Sequence, residues 1–150
     1  MSVKTELLAT LNTLLNEKIR VLQESIQTTK DSRDSDGKSS AGDKYETGRA
    51  MMQIEQAKLE GQLAQMLRLR QEISQIDAKK KFEKIEFGSL ANTSQGNYFL
   101  SIGLGKLEAS NGQTYFAISF GSPIGRELLN KKQGEQFTFQ GRSFEILSVE

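Results

Sequence analysis

The sequence predicts an α+β protein: an N-terminal antiparallel coiled-coil hairpin followed by a small antiparallel β domain that carries one short helix. Three observations predict it. Apolar residues recur at spacings of three and four through two long stretches of residues 1–78, ten of the eleven Phe and Tyr residues lie between Phe82 and Phe144, and nine of the 13 Gly residues follow position 82. The chain changes character near Lys79-Lys80-Lys81, which divides it into domains at 1–78 and 79–150.

The first helix is expected over about residues 3–29, because Leu8, Leu11, Leu15, Ile19, Leu22 and Ile26 form a narrow helical stripe. A second stripe, Met52, Gln56, Leu59, Leu63, Met66, Arg70 and Ile73, predicts a helix over about 43–78. Stripes this thin cannot build a globular core, so the two helices are expected to pack on each other. Between them, residues 30–43 are rich in Asp, Ser and Gly, whose side chains serve turns and helix caps, and this is the expected tip. Gly48 and Gly61 weaken the second helix; Gly61 either admits a close approach of the partner helix or is tolerated weakness.

In the second half, strands are expected at 84–87, 97–104, 114–120, 136–139 and 143–149, with hairpin turns at Asn111-Gly112 and Gln140-Gly141-Arg142. Ser122 followed by Pro123 and the pair Leu128-Leu129 marks one short capped helix. Phe99, Phe116, Phe120, Phe137 and Phe139 are expected mostly in the core, and Met51, Met52 and Met66 in the helical seam. Gly103-Leu104-Gly105 lies within an expected strand and lacks the helix of a dinucleotide fingerprint.

Composition narrows the chemistry. The 150 residues include neither Cys nor His, which removes disulfides, thiolate metal sites, cysteine nucleophiles and the usual general base. A net charge of +1 does not suit a protein that coats nucleic acid through phosphate contacts. No apolar run approaches the roughly 18 residues of a membrane span, and the amino terminus carries no secretory signal pattern, so the expectation is a soluble cytoplasmic protein. The run Lys79-Lys80-Lys81 with Lys84 reads as a solvated joint between domains, with contact to phosphates or an acidic partner as the alternative.

The segment Ser122-Pro123-Ile124-Gly125-Arg126-Glu127-Leu128-Leu129, followed by Lys131, Gly134-Glu135 and the closing Phe144-Glu145-Ile146-Leu147, resembles the bacterial Gre transcript-cleavage factors. Asp43-Lys44-Tyr45-Glu46-Thr47-Gly48-Arg49 is similar, more loosely, to that family's second-helix start. The resemblance implies an FKBP-like C-terminal domain that docks on RNA polymerase through Ser122, Pro123, Ile124 and Gly125. The hairpin would then enter the polymerase's secondary channel, near the nascent RNA. It implies a factor that is not an enzyme by itself and binds no cofactor stably, and the hairpin reading of the two stripes predicts a monomer. In the family, two tip acids help hold a second Mg²⁺ at the polymerase's own centre, a task suited to carboxylates because Mg²⁺ keeps waters and accepts one or two of them. Those acids stand seven and four residues before the tyrosine, where this chain has Lys38 and Ala41.

Asp34, Asp36, Asp43 and Glu46 are therefore the candidate tip acids, with Asp34 and Asp36 as the candidate Mg²⁺ ligands shared with the polymerase, and Tyr45 is a candidate contact residue. Solvating a turn and capping a helix is the simpler account of these acids. Three functions compete: a cleavage stimulator with relocated acids, a channel-binding inhibitor without cleavage, and an FKBP-like peptide-binding or prolyl isomerase module. A coiled-coil dimerisation protein is a further reading of the stripes.

Overall fold

A computed structural model of the chain describes the backbone of residues 2–36 and 43–150 and the side chains of residues 2–32 and 46–150. It forms a long helical hairpin followed by a six-stranded, mostly antiparallel sheet with one short helix. The elements are α1 (Val3–Asp36), α2 (Asp43–Ile73), β1 (Leu90–Thr93), β2 (Gly96–Leu100), β3 (Gly105–Glu108), β4 (Thr114–Ile118), α3 (Pro123–Leu128), β5 (Gln136–Phe139) and β6 (Arg142–Val149). By contacts the chain divides into two compact units, Thr13–Arg70 and Met1–Asn12 together with Gln71–Glu150.

Within the hairpin unit the predicted α1 stripe is the buried one: Leu15, Ile19 and Ile26 are at most 8% exposed, and Leu22 is half-buried. On α2 the half-buried positions are Met52, Gln56, Leu59, Leu63, Met66 and Leu69. Leu69 therefore takes the seam position expected for Arg70, whose exposed guanidinium reaches across instead and donates to Asn16 Oδ1 at 3.0 Å. Lys18 and Val21 line one groove with Gln62 and Met66, while Ser25 and Thr28 line another with Glu55 and Leu59, so residue numbers rise on one helix as they fall on the other. The pair is antiparallel. Met51 is not in the seam; it is 65% exposed, one position off the stripe that Met52 continues.

Helix α1 runs seven residues past its expected end. Near the expected end, Gln27 donates to Asp31 at 3.0 Å across one turn, a pair that supports the helix, and Thr29 Oγ1 donates to the Ser25 carbonyl at 2.9 Å. Helix α2 stops at Ile73, short of the expected 78, and turns follow.

In the second unit the strand order is β3-β4-β2-β1-β6-β5. All neighbours pair antiparallel except β2 and β4, which run parallel with Phe99 opposite Ala117. That parallel pair is the one exception in the expected antiparallel sheet. Its cause is the chain's course at Ser101–Leu104, where the expected strand 97–104 ends early. Gly105, at φ 86°, starts β3, and β3 forms a hairpin with β4 that returns β4 beside β2 in the same direction. The expected strand at 84–87 is only a bridge between Lys84 and Lys132, although Ile85 is fully buried. The turn after β5 has positive φ at both Gln140 (51°) and Gly141 (77°), the conformation that a two-residue hairpin requires.

One sheet face carries the core of Ile85, Ala91, Leu100, Leu128 and Ile146, with Tyr98, Ile118, Ile124 and Phe137 packed against it. Leu90, Phe99, Leu107, Tyr115 and Ala117 are buried on the opposite face. The first residues of α1 belong to this unit. Leu7 and Leu11 are fully buried, and the Glu6 carboxylate accepts from Ser110 N and Oγ at 2.5 and 2.9 Å.

Candidate functional site

The Ser122–Leu129 segment folds around one close approach. Ser122 is the N-cap of α3: its Oγ accepts from Gly125 N at 3.1 Å and donates to the Ser119 carbonyl at 2.7 Å. Pro123 occupies the first helical position, where its missing N–H costs nothing. A Cβ built on Gly125 would lie 2.1 Å from the Ser119 carbonyl oxygen, so only glycine fits there. Of the four expected docking residues, Pro123 is exposed, Ser122 and Ile124 are half-buried and Gly125 is buried. The first three present a small surface, and Gly125 holds the turn that shapes it.

At the hairpin end, Asp34 and Asp36 are not in a loop: their backbone belongs to the last turns of α1, and Asp43 opens α2. The side chains of Asp34, Asp36, Asp43 and Tyr45, and the whole of Lys38 and Ala41, lie outside the described residues. Glu46 is exposed on the first turn of α2. Asp31 is exposed on α1 and accepts the Gln27 amide. No group of three or more acidic side chains converges on a possible cation position among the described residues.

At the start of α1, Lys4 is only 6% exposed and donates to the Lys80 carbonyl at 2.6 Å. The Lys4 and Lys80 ammonium groups each lie 4.9 Å from the centre of the Phe82 ring. Burial lowers the Lys4 pKa, and the carboxylates of Glu150 and Asp77 oppose that shift. Part of the basic run is thus tied to the fold through the Lys80 carbonyl and the Phe82 ring. Lys79, Lys81 and Lys84 remain exposed.

Sequence reasoning missed a pocket of about 410 Å³ lined by Tyr98, Ile124, Phe139, Gln140, Arg142 and Phe144. Its base is Phe144, 5% exposed and stacked on Phe137 at 4.9 Å, with Phe139 edge-on at 6.3 Å. Strand register brings Phe139 directly opposite Arg142 and Phe137 opposite Phe144, so all four share one sheet face. Burial raises the Tyr98 pKa against the opposing charge of Arg142. Among the described residues, the Tyr98 hydroxyl has no hydrogen-bond partner and the Arg142 guanidinium has no carboxylate or carbonyl partner. The visible signal in the sequence was the Gln140-Gly141 turn, which fixes this register.

No helix among the described residues is long and apolar enough to cross a membrane. The chain is similar to a solved structure of the transcription factor Gfh1, with 19% identity over 95% of this chain and 92% of that one and a TM-score of 0.32. No protein-family model and no curated protein matches it.

Proposed function

We propose that the chain is a Gre-like transcription factor that binds RNA polymerase in the cytoplasm, as a monomer and without catalytic activity of its own. In this reading the sheet unit docks through the Ser122–Ile124 surface while the hairpin occupies the secondary channel, close to the nascent RNA. The observation that carries the reading is the joint occurrence of two features. One is a hairpin whose 34-residue first helix extends about 50 Å at 1.5 Å per residue. The other is a sheet unit in which the family-like Ser-Pro-Ile-Gly segment forms a capped turn with Pro123 exposed.

The same reading favours channel occupancy over metal delivery. Where the resembling family carries its two tip acids, this chain has Lys38 and Ala41, neither of which offers a carboxylate. Occupancy alone would slow nucleotide addition by obstructing the channel.

The test is a halted, backtracked elongation complex to which the protein is added. Slower extension without short 3′ RNA products is the expected result. Products that appear with the protein and vanish with Asp34→Ala and Asp36→Ala together would establish cleavage stimulation in its place. Absence of any binding to the polymerase would overturn the proposal.

A further inference from the structure

We infer that the pocket at the foot of α1 is a binding site for a small organic phosphate whose organic part is apolar. The inference is independent of the polymerase reading and takes up the Lys79-Lys80-Lys81 run, which that reading leaves without a role. The start of α1, the link from Ala78 to Phe82 and the chain at Val149 and Glu150 line an opening of about 630 Å³, and all of them belong to the sheet unit. Three stretches far apart in sequence thus meet at one cavity, of a size that takes a small molecule.

Charge selects the ligand. Lys4, Lys79, Lys80 and Lys81 bring four side-chain ammonium groups to the lining, against one side-chain carboxylate, that of Glu150, with Asp77 close by. Among the described residues none of the four lies within ion-pair distance of a carboxylate, and Asp77 Oδ1 already accepts from the Lys79 backbone N–H at 2.9 Å. Lys4 is the fixed member. Only 6% exposed, it gives one of its three donors to the Lys80 carbonyl at 2.6 Å and lies against the Phe82 ring, so a donor remains for a ligand. Burial lowers its pKa, and an anion in the pocket would act against that shift. The first N–H groups of α1 have no acceptor within the helix and add positive potential at the same end. Lysines without an arginine suit phosphate better than carboxylate, because several point charges can share a tetrahedral dianion, whereas a carboxylate is matched by the planar guanidinium fork. Val3, Ala78, Phe82 and Val149 supply the apolar part of the lining, which is where the organic group of the ligand would lie.

The test uses the full chain and naphthyl phosphate, whose fluorescence reports its capture, with naphthol, naphthoate and inorganic phosphate as comparisons. The expected result is saturable binding of naphthyl phosphate, with each comparison bound at least tenfold more weakly. Lys79→Glu and Lys81→Glu should each weaken binding at least fivefold, and Lys4→Met at least threefold. Lys84→Glu, the same charge change outside the lining, should leave binding within twofold of the starting protein. Circular dichroism melts establish that the variants fold; Lys79 and Lys81 are exposed, so their replacement leaves the core untouched. Absence of saturable binding would overturn the inference. So would equal binding of naphthol, naphthoate or inorganic phosphate, a folded Lys4→Met variant that binds unchanged, or equal losses from Lys84→Glu and Lys81→Glu.

Discussion

Gly125 shows how one residue can look like a contact and act as a hinge-pin of packing. Its position in the Ser-Pro-Ile-Gly run resembles a docking motif, yet its missing side chain is what lets the backbone approach Ser119. Adding one methyl puts a carbon 2.1 Å from a carbonyl oxygen that already accepts from Ser122 Oγ at 2.7 Å and from Ser122 N at 3.2 Å. A backbone carbonyl cannot swing aside as a flexible side chain can, so Gly125→Ala is expected to cost about 2–3 kcal/mol through overpacking. Ser122→Ala removes a cap and leaves the approach intact, a loss of about 1 kcal/mol. Urea denaturation of both variants checks the order: equal losses would mean that the cap, and not the contact, sets the stability of this turn.

At the scale of elements, Gly61 resolves an ambiguity that spacing alone left open. It lies on the exposed side of α2, and a Cβ added there meets nothing within 4 Å. Close approach of the partner helix is therefore not its purpose. Gly61→Ala is expected to stabilise the hairpin by about 0.5–1 kcal/mol, because alanine loses less backbone entropy on entering a helix. A higher midpoint in the helical circular dichroism signal is the readout, and a lower one would place an unseen neighbour at that position.

The same scale shows which parts of the fold were legible. The α1 stripe was, because Leu15, Ile19, Leu22 and Ile26 keep one face for several turns and burial follows that face directly. Helix ends were not: the Asp- and Ser-rich run from Lys30 looks like a loop, yet α1 continues to Asp36. In the sheet, the alternation Tyr98, Leu100, Ile102, Leu104 hid the break after Leu100, since Ile102 is buried although it belongs to no strand. The four-residue strand Leu90–Thr93, built from Leu, Ala, Asn and Thr, carries too little periodicity to be read. Of the candidate sites, the Ser122 cap was readable from local chemistry. The Tyr98–Arg142 pocket was not, because it joins residues 98, 124 and 139–144 through the order of strands.

For the whole molecule, the composition boundary near residue 79 and the contact division fall at different places. The sheet unit includes residues 1–12 and 71–78, which bring the fully buried Leu7 and Leu11, the nearly buried Ile73, and the bonds from Glu6 to Ser110 and from Lys4 to Lys80. Losing three buried aliphatic side chains costs about 1.5–3 kcal/mol each in transfer free energy alone, a sum comparable with the roughly 5–15 kcal/mol that holds a domain folded. Residues 79–150 alone are therefore expected to unfold without cooperativity. A version in which a short Gly-Ser link replaces residues 13–70 keeps those side chains and is expected to give one sharp urea transition; equal midpoints for the two versions would refute the division. The linked version also separates the two halves of the proposed function. It retains Ser122, Pro123 and Ile124 and lacks nearly all of the hairpin, so it should compete with the full chain for the polymerase while leaving the rate of elongation unchanged.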